Sequence, residues 1–133
     1  MPLELTLLAV SGIIFVIHLL TAAGGRTVTY GLDWAAGPRD THPGQVPQWG
    51  ERADRAFRNM AETFPLYAAF SVAVVAADAT GPLTALGASL YVVGRVLYLP
   101  AYLLHIQFVR SLIWVAAMVG IALLGAPLIL GAL

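Results

Sequence analysis

Four stretches of this chain are long and apolar enough to cross a bilayer, which takes ~20 mostly apolar residues in a helix. They run from about Leu3 to Ala23, Ala53 to Ala77, Pro82 to Leu104 and Ser111 to Leu133. In hydrocarbon every backbone polar group must be satisfied within its own segment, so such stretches fold as helices. The first lacks a basic leader and its apolar run is too long for a signal peptide, so it is expected to stay as a helix. The rest of the composition agrees. Of 133 residues, 59% are hydrophobic and 11% charged, with a mean hydropathy of +0.82. Soluble domains are roughly a quarter charged. A net charge of zero excludes a nucleic-acid binder driven by counterion release. The absence of Cys excludes disulfides, thiolate metal sites and a cysteine nucleophile. The three His fall in different segments with no metal-ligand spacing.

One long polar connection, residues 24–51, separates the first two stretches. It holds six Gly and three Pro, at positions 38, 43 and 47, and is expected to be a cytoplasmic loop. The other connections, around Asp78–Pro82 and His105–Arg110, are short, so sequential helices should be antiparallel. The expected fold is therefore all-α, a single transmembrane four-helix up-down bundle over 1–133. Orientation follows from Arg. Arg26, Arg39, Arg52, Arg55, Arg58 and Arg110 all flank the first and third connections, and the opposite end carries none. Both termini are expected outside. All seven basic residues are Arg, which suggests a GC-rich bacterial source and hence the inner membrane.

Ionisable groups within spans are costly and usually mark a site or a buried pair. Here they are His18, Arg58, Glu62 and Arg95. At ~1.5 Å per residue, His18, Glu62 and Arg95 lie roughly 10–16 Å from the cytoplasmic face, in one layer. Arg55, Asn59 and Glu62 share one face of the second helix by their i, i+4, i+7 spacing. Tyr91, Arg95, Tyr98 and Tyr102 share one face of the third. Glu62 and Arg95 can pair with each other and lock the bundle. Alternatively the two faces can hold a zwitterionic ligand, Arg gripping carboxylates and Glu an ammonium. His18 is expected to be a hydrogen-bonded core histidine, Tyr91 a packing residue and Tyr102 part of an interfacial belt. Pro65 and Pro100 withhold an N–H from the carbonyls of Ala61 and Val96, which produces a packing kink or opens a site.

The run Arg55-Ala56-Phe57-Arg58-Asn59-Met60-Ala61-Glu62-Thr63-Phe64-Pro65 fits the pattern R-A-x-x-N-x-x-E-x-x-P. Arg95-Val96-Leu97-Tyr98, with Tyr102 four residues on, and Arg110-Ser111-Leu112 follow in order, and Gly31–Asp40 looks like a bacterial form of the first loop. Together these resemble the MAPEG family, the membrane-associated proteins of eicosanoid and glutathione metabolism, and in particular a bacterial protein similar to microsomal glutathione transferase. The resemblance implies a homotrimer with glutathione bound between subunits near the cytoplasmic face. It implies that Arg55, Asn59 and Glu62, completed by Arg95, Tyr98 and Tyr102, hold glutathione. Arg110 matches the family's thiolate-stabilising arginine, and the sulfur would attack a hydrophobic small molecule arriving from membrane lipid. Only the thiolate is nucleophilic, and a nearby cation favours it. The chain has Thr63 where a Tyr often follows the Glu in eicosanoid-synthesising members. The family also includes a non-enzymatic lipid-binding protein, so a non-catalytic lipid-binding or scaffold role is the alternative.

Overall fold

In a computed structural model, which describes residues 1–41 and 44–131, the chain forms five helices and no strand among those residues. They are α1 (Leu3–Tyr30), α2 (Leu32–Ala36), α3 (Gln48–Ala76), α4 (Pro82–Leu103) and α5 (Gln107–Gly131). Pro43, counted above with the long connection, and the last two residues of the fourth expected span lie outside the described residues.

The long connection is shorter than expected. α1 runs on through Gly24, Gly25 and Arg26 to Tyr30, and α3 starts at Gln48. Gly and Thr are weak helix formers, so their composition reads as loop. Packing overrides it. A methyl group on Gly25 would lie 2.7 Å from the Gly50 Cα, so the two helices cross with backbones in contact and only glycine fits. Gly31, at φ 89°, ends α1, and its N–H donates to the Thr27 carbonyl. The short α2 follows, and the Trp34 indole N–H donates to the Thr41 carbonyl. The tight turns fall where expected, with Asp78 (φ 56°) between α3 and α4 and His105 (φ 59°) between α4 and α5.

α1, α4 and α5 are long and apolar enough to cross a membrane. α3 is as long, but its N-terminal half carries Glu51, Arg52, Asp54, Arg55, Arg58 and Glu62. Much of the outer surface is apolar, with Ile13, Val93, Leu112 and Val119 among its exposed side chains. α1 packs chiefly on α3, and α4 on α5. Thr84 at the start of α4 donates to the Glu4 carboxylate at the start of α1 (2.5 Å), so those two helices begin at the same end. Asn59 meets Arg95 and Thr63 meets Tyr91, so α3 and α4 run antiparallel. Met60, Tyr67 and Val74, seven residues apart on α3, enter a core with Ala88, Tyr91, Ala117, Ile121 and Leu124. Tyr91 stacks on Tyr67 with ring centroids 4.0 Å apart, as its packing role requires.

The α4–α5 seam closes on Gly87 and Gly120. A Cβ on Gly87 would lie 2.5 Å from the Gly120 carbonyl oxygen and 2.6 Å from the Leu124 nitrogen, both backbone atoms. Gly87→Ala is expected to cost about 1–3 kcal/mol by forcing the helices apart. Gly12→Ala, where nothing lies within 4 Å, is the matched control. Thermal unfolding in mild detergent should show a lower midpoint for the first variant and little change for the second.

Candidate functional site

The charged half of α3 faces the last turns of α4 and the first turns of α5. A cavity of about 430 Å³ opens there, lined by Asn59, Tyr98, Tyr102, Arg110, Ser111, Trp114 and Val115. Four residues expected to hold a ligand or act on it are thus brought together: Asn59, Tyr98, Tyr102 and Arg110. Tyr102 organises the cation side. The Arg110 guanidinium lies over its ring at 4.5 Å, and Arg55 Nε donates to its hydroxyl at 3.2 Å. Two cations on one phenol hold the positive charge of α3 and α5 at one point. Tyr102 is therefore a component of this cluster.

Arg55 itself lines a neighbouring cavity of about 350 Å³ with Arg26, Val46, Gly50, Glu51, Asp54 and Arg58. Asp54 there accepts from Arg26 (2.5 Å) and pairs with Arg58 (2.8 Å). Residues 54 and 58 are readable as an i, i+4 pair. Arg26 joins them only because α1 extends past its expected end.

Arg95 does not pair with Glu62. Its guanidinium is fully buried and donates to Asn59 Oδ1 (2.7 Å) and Thr63 Oγ1 (3.1 Å). The rings of Tyr98 and Tyr91 lie 5.0 and 5.3 Å from its Cζ. Thr63 also exchanges a hydrogen bond with the Tyr91 hydroxyl at 3.1 Å. The departure at Thr63 thus has a structural use. A short hydroxyl side chain fits beneath the guanidinium. Its signal in the sequence was its i+4 spacing from Asn59. Trp114, i+4 from Arg110, was legible in the same way.

Glu62 is exposed and makes no hydrogen bond or ion pair among the described residues. It shares the α3 face with Arg55, but it lies outside both cavities. His18 sits in the core as expected, its Nδ1 3.0 Å from the Ile14 carbonyl oxygen.

A family model, that of the MAPEG family, matches residues 1–130 of the chain, a span that holds every residue of both cavities. The chain belongs to the MAPEG family. No curated protein and no solved structure matches the chain. MAPEG membership and three helices able to cross a bilayer make this a membrane protein.

Proposed function

We propose that the chain is a glutathione-dependent transferase or peroxidase acting on hydrophobic electrophiles. In this proposal it works as a homotrimer of four-span bundles in a bacterial inner membrane. α3 is the fourth span, with its charged half at the cytoplasmic interface and the termini outside. The observation that carries the reading is the 430 Å³ cavity. It sets the Arg110 guanidinium and the Asn59 amide beside the apolar flank of Trp114 and Val115. One wall suits a polar, thiol-bearing peptide and the other a lipophile.

The chemistry follows from those groups. Arg110 favours the thiolate of bound glutathione, whose proton leaves to solvent. The sulfur lone pair then forms a bond to the electrophilic carbon, and the leaving group departs with its electron pair. With a lipid hydroperoxide, sulfur attacks oxygen instead. The O–O bond breaks, the lipid leaves as its alcohol after taking a proton, and glutathione leaves as its sulfenic acid. Tyr102 keeps Arg110 and Arg55 in place, Tyr98 packs against Arg95, and both supply hydroxyls for the peptide. The exposed Glu62 carboxylate has no hydrogen-bond or ion-pair partner among the described residues. A neighbouring subunit covering it, or the ammonium of glutathione, would supply its missing partner.

The test is titration of the purified protein with glutathione, following heat and thiolate absorbance together, with native mass spectrometry for the trimer. Binding with a rise in thiolate supports the proposal. Binding without thiolate points to the non-catalytic role, and neither signal overturns the glutathione reading. Glu62→Gln is expected to weaken affinity by about tenfold, the loss of one charge-assisted contact, while turnover at saturation stays near wild type. A fall in turnover with unchanged affinity would remove Glu62 from the binding role.

A further inference from the structure

A third cavity, of about 190 Å³, lies between α1 and α4 and shares no lining residue with the other two. Its walls are Ile14, Ile17, Val96, Leu99 and Pro100, and the remaining lining residues are His18 and Arg95. Those two side chains are 1% and 0% exposed. Each holds one buried nitrogen with no hydrogen-bond partner among the described residues, His18 Nε2 and Arg95 Nε. Leaving such atoms unpaired costs about 1–3 kcal/mol each. Both belong to residues that line one apolar cavity, and two such atoms beside it mark a place where a polar group belongs.

Their chemistry is complementary. His18 Nδ1 lies 3.0 Å from a carbonyl oxygen, which can only accept. Nδ1 therefore carries the proton, and Nε2 of the neutral ring offers a lone pair. Arg95 Nε offers an N–H, since its other two nitrogens are committed to Asn59 and Thr63. The two polar residues lining the cavity thus hold one spare acceptor and one spare donor. A hydroxyl satisfies both with one oxygen, donating to His18 and accepting from Arg95. A ketone or ester only accepts and leaves His18 unmet. An ammonium meets a guanidinium of like charge. A carboxylate sets an anion against the lone pair of Nε2.

Size argues for more than water. The cavity is about six times the ~30 Å³ share of one water in the liquid, and a buried water needs 2–4 polar partners. Two polar atoms serve one hydroxyl, and further waters would face only Ile, Val, Leu and Pro. The molecule that matches carries a single hydroxyl on an apolar body. Its entry is from the hydrocarbon side, where Ile17 and Val96 are 50% and 51% exposed among Ile13, Val93 and Leu97. We propose that the α1–α4 cavity binds the hydroxyl end of a lipophilic alcohol or phenol through His18 and Arg95. Through Asn59, the same Arg95 reaches the larger cavity, so an occupant here touches the far end of that hydrogen-bond chain.

The probe is 1-octanol carrying a diazirine on its third carbon, photolysed on the full-length protein in phosphatidylcholine nanodiscs without glutathione. Mass spectrometry should place the label within residues 14–18 or 96–100. Excess 1-octanol should suppress it, and n-octane and octanoate should not. His18→Phe should cut labelling about tenfold, the loss expected from one buried hydrogen bond. Should that variant fail to fold, Ile17→Trp fills the entrance, keeps both polar groups and should give the same loss. The proposal is overturned by labelling found only elsewhere or absent, by labelling that persists in the folded variants, by octane competing as well as octanol, which means a merely apolar cavity, or by octanoate competing better, which means an acid site. None of these outcomes depends on whether the protein binds glutathione.

Discussion

Arg110→Ala is expected to lower glutathione-dependent turnover on the order of 100-fold, while the affinity for glutathione stays within about threefold. The asymmetry comes from what Arg110 touches. It lies in the first turn of α5, where the helix end adds up to about half a positive charge. It is held over the Tyr102 ring and lines the cavity shared with Asn59 and Tyr98. Charge at that point acts on a thiolate that forms after binding. On the proposed function the peptide's carboxylates and amides would meet Arg55 and Asn59 instead. Thiolate absorbance at saturating glutathione should therefore fall together with the rate. Arg110→Lys should restore part of both, because the point charge survives and the planar fork over the ring is lost. If Arg110 only anchors the chain to lipid phosphate, removing it leaves thiolate and rate unchanged, and the residue is then no part of the site.

Arg95→Ala is expected to act on stability before chemistry, by about 3–5 kcal/mol. Arg95 is the largest of the fully buried side chains. Truncating it empties that volume and leaves Asn59 and Thr63 without their donor. Its carrier helix is also the one packed most closely against α5. Thermal unfolding in detergent should show a large fall in midpoint. Asn59→Ala should cost less, about 1–3 kcal/mol, since Thr63 and two aromatic rings remain around the guanidinium. Equal glutathione affinity in wild type and folded Arg95→Ala would assign Arg95 to positioning Asn59 rather than to the peptide. Unchanged stability would contradict the buried network itself.

The helices were legible in the sequence because lipid leaves the backbone no alternative. An apolar run of sufficient length must close its own hydrogen bonds, and Gly and Pro next to Asp78 mark where it turns. The relation of Asn59 to Thr63, and of Arg110 to Trp114, was also legible, since neighbours on one helix face depend only on the 3.6-residue repeat. Which face meets which is different information. Glu62 and Arg95 have matching depth and opposite charge, yet Arg95 meets Asn59 and Thr63. Rotation of α3 about its axis is set by Met60, Tyr67 and Val74 seating in the core, and that rotation turns Glu62 outward. Likewise, nothing local in the run from Gly24 to Tyr30 favours a helix over a loop. The Gly25–Gly50 crossing holds α1 helical past its apolar run and so brings Arg26 to Asp54. The sequence by itself determined the order and direction of the four long helices, though not the short α2, because those follow from each segment's own backbone and solvent. Only the tertiary structure decided the partners of Arg95 and Arg26, because those partners depend on the packing of two helices and are written in neither one alone.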